Sequence, residues 1–144
     1  MKFFAALALS LACKVALCQE GSIVVPAGTT IAMESTKEIF EKKDKPSSPA
    51  PFRVAQDVVV DGVVVIPAKT PVRATVTTSG NRELRVDLHD VKAVDGTVIT
   101  LADCWIFTTA SQNQKSRGAA LWVGTKKNCL TAVKATVKAT GAKY

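Results

Sequence analysis

Residues 58–72 read Val-Val-Val-Asp-Gly-Val-Val-Val-Ile-Pro-Ala-Lys-Thr-Pro-Val. Two runs of β-branched residues flank Asp61-Gly62, a dipeptide that supplies the positive φ angles of a two-residue hairpin turn. The second run ends at a Pro-Ala-Lys-Thr corner, where a proline cannot donate to a ladder of backbone hydrogen bonds. The stretch therefore predicts a β-hairpin, a tight corner and a further strand.

The corner occurs twice in the chain. Residues 25–32 (Val-Pro-Ala-Gly-Thr-Thr-Ile-Ala) match residues 66–73 (Ile-Pro-Ala-Lys-Thr-Pro-Val-Arg) at an offset of 41 residues, with Gly28 in the position of Lys69. Each copy follows a β-branched run and precedes alternating apolar residues, which is typical of strand, turn and strand. We therefore expect an internal strand-turn-strand repeat.

Further strands are predicted where apolar and polar residues alternate. The alternation is clear over 72–76 and 84–89, and Asp95-Gly96 predicts a second hairpin. The remaining predicted strands are 22–25, 30–35, 98–101, 104–107 with Trp105 and Phe107 on one face, 120–124, and 133–139, which we expect to close the sheet.

Two polar segments, 37–51 and 108–118, are predicted to be loops. Prolines at 46, 49 and 51 argue against a central strand in the first loop. Ser35-Thr36-Lys37-Glu38 has the form of a helix capping box and predicts one or two helical turns before Pro46.

The fold class that follows is all-β. Many short antiparallel strands predict a small β-barrel, with a two-layer β-sandwich as the alternative. Apolar residues at 72, 74, 76, 84, 86 and 88 are numerous enough to fill the interior of a narrow barrel.

The first 18 residues have the pattern of a cleaved secretory signal. A basic start, a short apolar run and small residues before Gln19 support this interpretation, and Lys14 makes the run too short to span a bilayer. Residues 19–144 then form a single β domain without a retained transmembrane span. The alternative is a lipoprotein anchored through Cys13.

Four cysteines are present, and removal of the signal leaves Cys104 and Cys129. An even pair in an exported domain predicts one disulfide, with two buried free thiols as the alternative. These two cysteines and the single histidine, His89, make none of the usual metal-ligand spacings. No metal site, cofactor site or catalytic site is predicted.

The formal net charge is +7, and all acidic residues lie between Glu20 and Asp103. The residues from Cys104 onward contain seven basic side chains and no acidic one, a pattern that attracts anionic partners or forms a solvated basic face. The possible anionic-partner contacts are Lys115, Arg117, Lys126, Lys127, Lys134, Lys138 and Lys143.

One cluster contains residue types that acid-base catalysis uses. Alternation places Asp87 and His89 on the same solvent-facing side of a strand, with Asp90 beside them, and acid-base chemistry needs such a base with an orienting carboxylate. Charged pairs of this spacing are ordinary on the wet face of a strand, and no serine or cysteine nucleophile is tied to them. We therefore expect no enzyme activity. Nucleic-acid binding is not expected either, because the basic region lacks interleaved aromatic residues.

Three segments carry a resemblance: Pro-Ala-Gly-Thr-x-Ile (26–31), the stretch 58–72, and Leu-Arg-Val-Asp-Leu-His-Asp-Val-Lys-Ala-Val-Asp-Gly-Thr-Val-Ile-Thr-Leu (84–101). Together they resemble an uncharacterised group of bacterial secreted or envelope β domains. They are also distantly similar to the C-terminal β-barrel of TrbI-like conjugal-transfer and type IV secretion channel proteins. The resemblance implies the fold and an envelope setting, and we do not extend it to channel formation.

Two functions are compatible with these features. The first is a non-enzymatic exported structural or interaction module of the bacterial cell envelope, periplasmic or extracellular, whose loops or basic region contact an envelope protein or an anionic envelope surface. The alternative is an exported β-barrel that binds a small ligand in its interior. The sequence does not determine the oligomeric state.

Overall fold

The computed structural model describes residues 21–41, 43–110 and 118–139. These segments contain twelve strands and no helix, which confirms the all-β class. The strands are β1 (Gly21–Val25), β2 (Thr30–Ser35), β3 (Ile39–Phe40), β4 (Phe52–Val54), β5 (Val58–Val60), β6 (Val63–Ile66), β7 (Pro71–Gly80), β8 (Glu83–Lys92), β9 (Val98–Thr109), β10 (Ala120–Leu121), β11 (Lys126–Leu130) and β12 (Ala135–Ala139).

The main sheet has six antiparallel strands in the order β11-β2-β4-β7-β8-β9. Its two end strands meet each other: Leu101 of β9 forms an isolated bridge with Thr131, which follows β11. The predicted disulfide between Cys104 and Cys129 joins the same two strands. The sheet is therefore nearly closed and barrel-like.

Three two-stranded sheets complete the fold: β1 with β12, β3 with β10, and β5 with β6. The prediction that residues 133–139 close the main sheet was wrong, because β12 pairs with β1. The edge strand that meets β9 at the closure of the main sheet is β11, and this strand was not predicted. Only Cys129 is buried among its five residues, so β11 carries no apolar alternation.

The predicted Asp61-Gly62 hairpin is confirmed. Val60 lies opposite Val63, and Asp61 and Gly62 adopt φ angles of 52° and 75°. The hairpin at Asp95-Gly96 is confirmed as well: Gly96 has a φ of 88°, and β8 continues into β9 around it.

The two copies of the Pro-Ala-x-Thr corner have the same turn conformation. Gly28 has a φ of 82° and Lys69 a φ of 70°, so lysine takes the left-handed conformation that glycine takes in the first copy. In each copy the threonine hydroxyl donates to the carbonyl of the corner's first residue, at 2.6 Å from Thr29 and 2.7 Å from Thr70. The internal repeat beyond these corners stays a prediction.

A third corner, at Trp122 to Thr125, uses the same device. Gly124 has a φ of 82°, and the Thr125 hydroxyl donates to the Trp122 carbonyl at 2.6 Å. The three corners connect β1 to β2, β6 to β7, and β10 to β11. Each one therefore carries the chain from a two-stranded sheet into the main sheet.

The described residues between Ser35 and Pro46 contain no helix, and the prediction of helical turns there was wrong. Ser35 is the last residue of β2, and its hydroxyl donates to the Trp122 carbonyl at 2.8 Å instead of capping a helix. Ile39 and Phe40 form β3, which pairs with β10. Because Ile39 is buried, its packing outweighs the local helical signal.

Residues 47–50 are not a detached loop. Their backbone runs along β7, with hydrogen bonds from Ser47 N to Val76 O at 2.7 Å and from Ala50 N to Ala74 O at 2.8 Å. Pro49 forms an antiparallel bridge with Thr75. The pairing tolerates Pro49 because its neighbours supply the donors and acceptors at that position.

Apolar side chains fill the interior of the barrel. The predicted inward residues Val72, Ala74, Val76, Leu84, Val86 and Leu88 are all 6% exposed or less. They pack with Ile31, Met33, Phe52 and Val54 from β2 and β4. Of the described residues, only Ser35 and Thr131 are buried and polar, so this interior is an apolar core.

Candidate functional site

A large irregularity between β8 and β9 shapes the outer face of the main sheet. Leu88 lies opposite Cys104 and Asp90 lies opposite Thr100, so the three residues 101–103 face His89 alone. Extra residues of this kind interrupt the ladder and bend the strand, and they are frequent beside binding sites. Here they border an open surface cavity of about 540 Å³.

Residues from three adjacent strands line this cavity, which we call the bulge cavity. Its lining is mainly charged or polar, with one aromatic residue and three apolar residues whose side chains are buried in the core. The lining residues are Arg73 of β7; Arg85, Asp87, Leu88, His89 and Asp90 of β8; and Thr100, Leu101, Asp103, Cys104 and Trp105 of β9.

Two ion pairs organise the charged groups. Arg73 Nε donates to Asp90 Oδ2 at 2.7 Å, and this hydrogen bond raises the pKa of Arg73. Arg85 donates to Asp87 Oδ1 from its terminal nitrogen at 3.0 Å, and its guanidinium lies 4.8 Å from the centre of the Trp105 ring. Both guanidinium groups of the bulge cavity are therefore held by neighbouring side chains.

Asp87 is held in its charged form. Partial burial raises its pKa, but hydrogen bonds from Thr77 and Arg85, with the charge of Arg85, outweigh that effect. The net result is a pKa below the ordinary value. Asp87 thus fixes the Arg85 side chain and connects β8 to β7 through Thr77.

His89 and Asp87 share the outer face, as predicted, and neither is fully buried. The hydrogen-bond partner of His89 is Thr75, whose Oγ1 lies 2.7 Å from His89 Nε2. Asp87 bonds Thr77 and Arg85, and Asp90 bonds Arg73. Within the described segments, neither carboxylate orients the imidazole by a hydrogen bond.

Thr75 was missed by the sequence reasoning. It lies directly opposite Asp87 in the β7–β8 ladder, one position from the shift in register between Arg73 and Ala74. Because that register depends on tertiary pairing, alternation within a single strand could not have matched Thr75 with His89.

Asp103 differs from the other carboxylates of the bulge cavity. It is exposed, and among the described acidic residues that line the cavity it alone has no ion pair and no hydrogen bond. Its charge is therefore left uncompensated by neighbouring side chains.

Trp105 and Phe107 lie on the outer face of β9, as predicted, and are 44% and 45% exposed. Trp105 lies opposite Asp87 and Phe107 opposite Arg85. Two large aromatic side chains thus lie side by side with an arginine against one of them. Sequence alternation identified the shared face, whereas the pairing of Arg85 with Trp105 depends on the β8–β9 register.

The predicted basic contacts do not lie on one strand. Lys126 and Lys127 belong to β11, Lys138 belongs to β12, and Lys134 precedes β12. Lys126 lies opposite Glu34 of β2. The other three, Lys115, Arg117 and Lys143, lie outside the described residues. Contact between this set and an anionic partner stays a prediction.

A search of the described segments finds no group of three or more histidine, cysteine, aspartate or glutamate side chains that could hold a metal ion. The same segments contain no helix with the length and apolar character needed to cross a membrane.

Comparisons of this chain with protein-family models, with curated proteins and with solved structures gave no match.

Proposed function

We propose that this protein is a non-enzymatic, exported interaction module of the bacterial cell envelope. The outer face of β7, β8 and β9 contacts an envelope protein. The observation that carries the proposal is the exposed pair Trp105 and Phe107, with Arg85 packed against the Trp105 ring.

Exposed aromatic residues beside arginine favour a protein partner. Tryptophan and arginine are enriched among the residues that dominate binding energy at protein interfaces, and apolar surface that remains exposed commonly marks such a site. Arg85 is already fixed by Asp87 and by the Trp105 ring. Binding therefore costs less side-chain entropy than it does for a freely rotating arginine.

The packed interior argues against the alternative function. A ligand inside the barrel needs a cavity with a few convergent polar groups. The inward side chains of β7 and β8 are instead apolar and buried against β2 and β4. A small ligand there would displace core side chains, so binding at the outer face is favoured.

Three features support export to the envelope. The chain begins with a sequence that has the pattern of a secretory signal. Cys104 and Cys129 form a disulfide, a bond that persists in oxidising compartments. The resemblance to secreted and envelope β domains points in the same direction.

Export is tested by intact mass of the protein purified from its own cells after fractionation. We expect a mass that begins at Gln19 and two thiols that react with an alkylating reagent only after reduction. A mass that begins at Cys13 with acyl chains would identify the lipoprotein form instead. Full-length protein with free thiols in the cytoplasmic fraction would overturn export.

The contact surface is tested by photocrosslinking in living cells. Benzoylphenylalanine replaces Phe107 in one variant and Val98 in the control, since Val98 lies on the same strand and is 53% exposed but lies outside the aromatic pair. We expect a discrete adduct with an envelope protein from position 107 alone. That adduct should fall at least tenfold when Trp105→Ala is added. Equal adducts at both positions, or none, would overturn the proposed surface.

A further inference from the structure

We propose that the bulge cavity is a recognition pocket for a basic side chain of the partner, a lysine ammonium or an arginine guanidinium. The inference rests on the proposed function, because it assigns a chemistry to the protein that binds this outer face. It gives the bulge between β8 and β9 a role in specificity.

The charge balance of the lining selects for a cation. Besides the imidazole of His89, which contacts Thr75, the cavity is lined by two arginines, Arg73 and Arg85, and by three carboxylate residues. Arg73 is paired with Asp90 and Arg85 with Asp87. Among these described groups the uncompensated charge is that of Asp103, so a cation gains a new partner there without breaking an existing pair.

An anionic group lacks that advantage. To reach Arg73 or Arg85, it must compete with a carboxylate that already accepts a hydrogen bond from the guanidinium. It is also repelled by Asp103. Since like charges brought together at a binding surface oppose association, the lining discriminates against acidic side chains.

Trp105 provides the second part of the recognition. It is two residues after Asp103 on β9, and both residues line the cavity. An indole face attracts cations and also packs against the methylene stem of lysine or arginine. The Arg85 guanidinium makes one such contact, 4.8 Å from the centre of the Trp105 ring. Trp105 is still 44% exposed, which leaves surface for a second contact.

The cavity has ample room for one long side chain. Its volume of about 540 Å³ is similar to that of small-ligand sites. Strands β8 and β9 pair on both sides of the bulge, at Leu88 with Cys104 and at Asp90 with Thr100. Trp105 lies in the paired part of the ladder, opposite Asp87, and Asp103 lies in the bulge directly before the Leu88–Cys104 pair. The main sheet therefore fixes both ends of the segment that carries Asp103.

The pocket is tested with amino-acid amides by nitrogen-15 NMR titration of the folded protein. The probes are the Nα-acetyl methylamides of lysine, arginine, norleucine and glutamate. We expect saturable shifts of the amides of His89 and of residues 100–105 with the lysine and arginine probes. Norleucine, which has a similar chain length and no charge, and glutamate should bind at least tenfold more weakly.

Asp103→Asn is the decisive variant, and Glu83→Gln is its control, because Glu83 is an exposed carboxylate on β8 that does not line the cavity. Asp103→Asn should lower the affinity for the lysine and arginine probes about tenfold, whereas Glu83→Gln should leave that affinity unchanged. Equal binding of norleucine, preference for glutamate, or an unchanged affinity in Asp103→Asn would overturn the pocket.

The two proposals fail in different ways. If the crosslink at position 107 forms but the basic amides do not bind, the pocket is wrong and the interaction surface stands. If the amides bind through Asp103 but no crosslink forms, the chemistry of the pocket is supported and the envelope partner at this face is wrong.

Discussion

Cys104 and Cys129 join the first and last strands of the six-stranded sheet, with their Cα atoms 5.7 Å apart. They lie near the isolated backbone bridge between Leu101 and Thr131. The disulfide therefore fastens the seam at which the barrel closes, and its loss should affect the stability of the whole domain.

Replacing both cysteines by alanine should lower the free energy of unfolding by about 3 kcal/mol, because the loop closed by this bond spans 25 residues. Urea denaturation of the double variant measures the change. Wild-type protein with reductant should show a loss no larger than that of the double variant, since it lacks the bond but keeps both buried sulfur atoms. A difference below about 1 kcal/mol in both samples would show that the seam is stable without the bond.

The Asp61-Gly62 turn offers a test of the hairpin between β5 and β6. Asp61 has a φ of 52°, which the proline ring cannot adopt. Asp61→Pro should therefore abolish cooperative thermal unfolding followed by circular dichroism. Asp61→Gly is the matched control, because glycine accepts positive φ and should fold. A soluble Asp61→Pro protein that melts cooperatively would contradict the turn.

The hairpins and the corners could be predicted because each depends on local residue types, and the disulfide because Cys104 and Cys129 are the two cysteines that remain after the signal. Asp61-Gly62 and Asp95-Gly96 are examples. Strand β11 was missed because Lys126-Lys127-Asn128-Cys129-Leu130 has one buried position. Its place beside β2 is set by pairing with Thr30–Glu34, and no local pattern encodes that partner.

The candidate site shows the same division. Alternation placed Asp87 with His89, and Trp105 with Phe107. The contacts of His89 with Thr75 and of Arg85 with Trp105 connect different strands. The bulge at His89 shifts the β8–β9 register, and a shift in register changes which side chains meet. The cavity therefore could not be predicted from the residue pattern of any single strand.

Lys69 provides a second stability test. Holding a residue with a Cβ atom in the left-handed conformation costs roughly 1–2 kcal/mol. Glycine avoids this cost, but part of the gain is lost because glycine makes the unfolded chain more flexible. Lys69→Gly should therefore raise the free energy of unfolding by about 0.5–1 kcal/mol. Lys69→Ala keeps the strained conformation and should give no such gain.

The matched change in the other corner should have the opposite sign. Gly28 has a φ of 82°, and a Cβ atom added there would meet no atom within 4 Å. Gly28→Ala should therefore destabilise the domain by about 1 kcal/mol through backbone conformation alone. If urea denaturation shows that Gly28→Ala and Lys69→Gly change the free energy of unfolding in the same direction, the left-handed conformation does not explain the stability of both corners.

Asp95 connects the β8–β9 hairpin to the last described strand. Its carboxylate accepts hydrogen bonds from Lys138 N and from Thr97 N, each at 2.9 Å. The backbone of Lys138 makes the largest contribution, and together these bonds lower the pKa of Asp95 from 3.8 to about 2. Because the folded value lies below the ordinary one, the stabilisation is complete above the ordinary value and is lost as pH falls toward about 2.

Asp95→Asn should lower the stability of the protein at neutral pH, since an amide oxygen accepts more weakly than a carboxylate. The gap in unfolding free energy between wild type and variant should narrow as pH falls from about 4 to about 2. Urea denaturation across that range measures the gap. Asp103→Asn is the control, because that carboxylate has no partner to lose, and its gap should not narrow. A gap for Asp95→Asn that stays constant with pH would show that the Lys138 contact does not depend on the charge of Asp95.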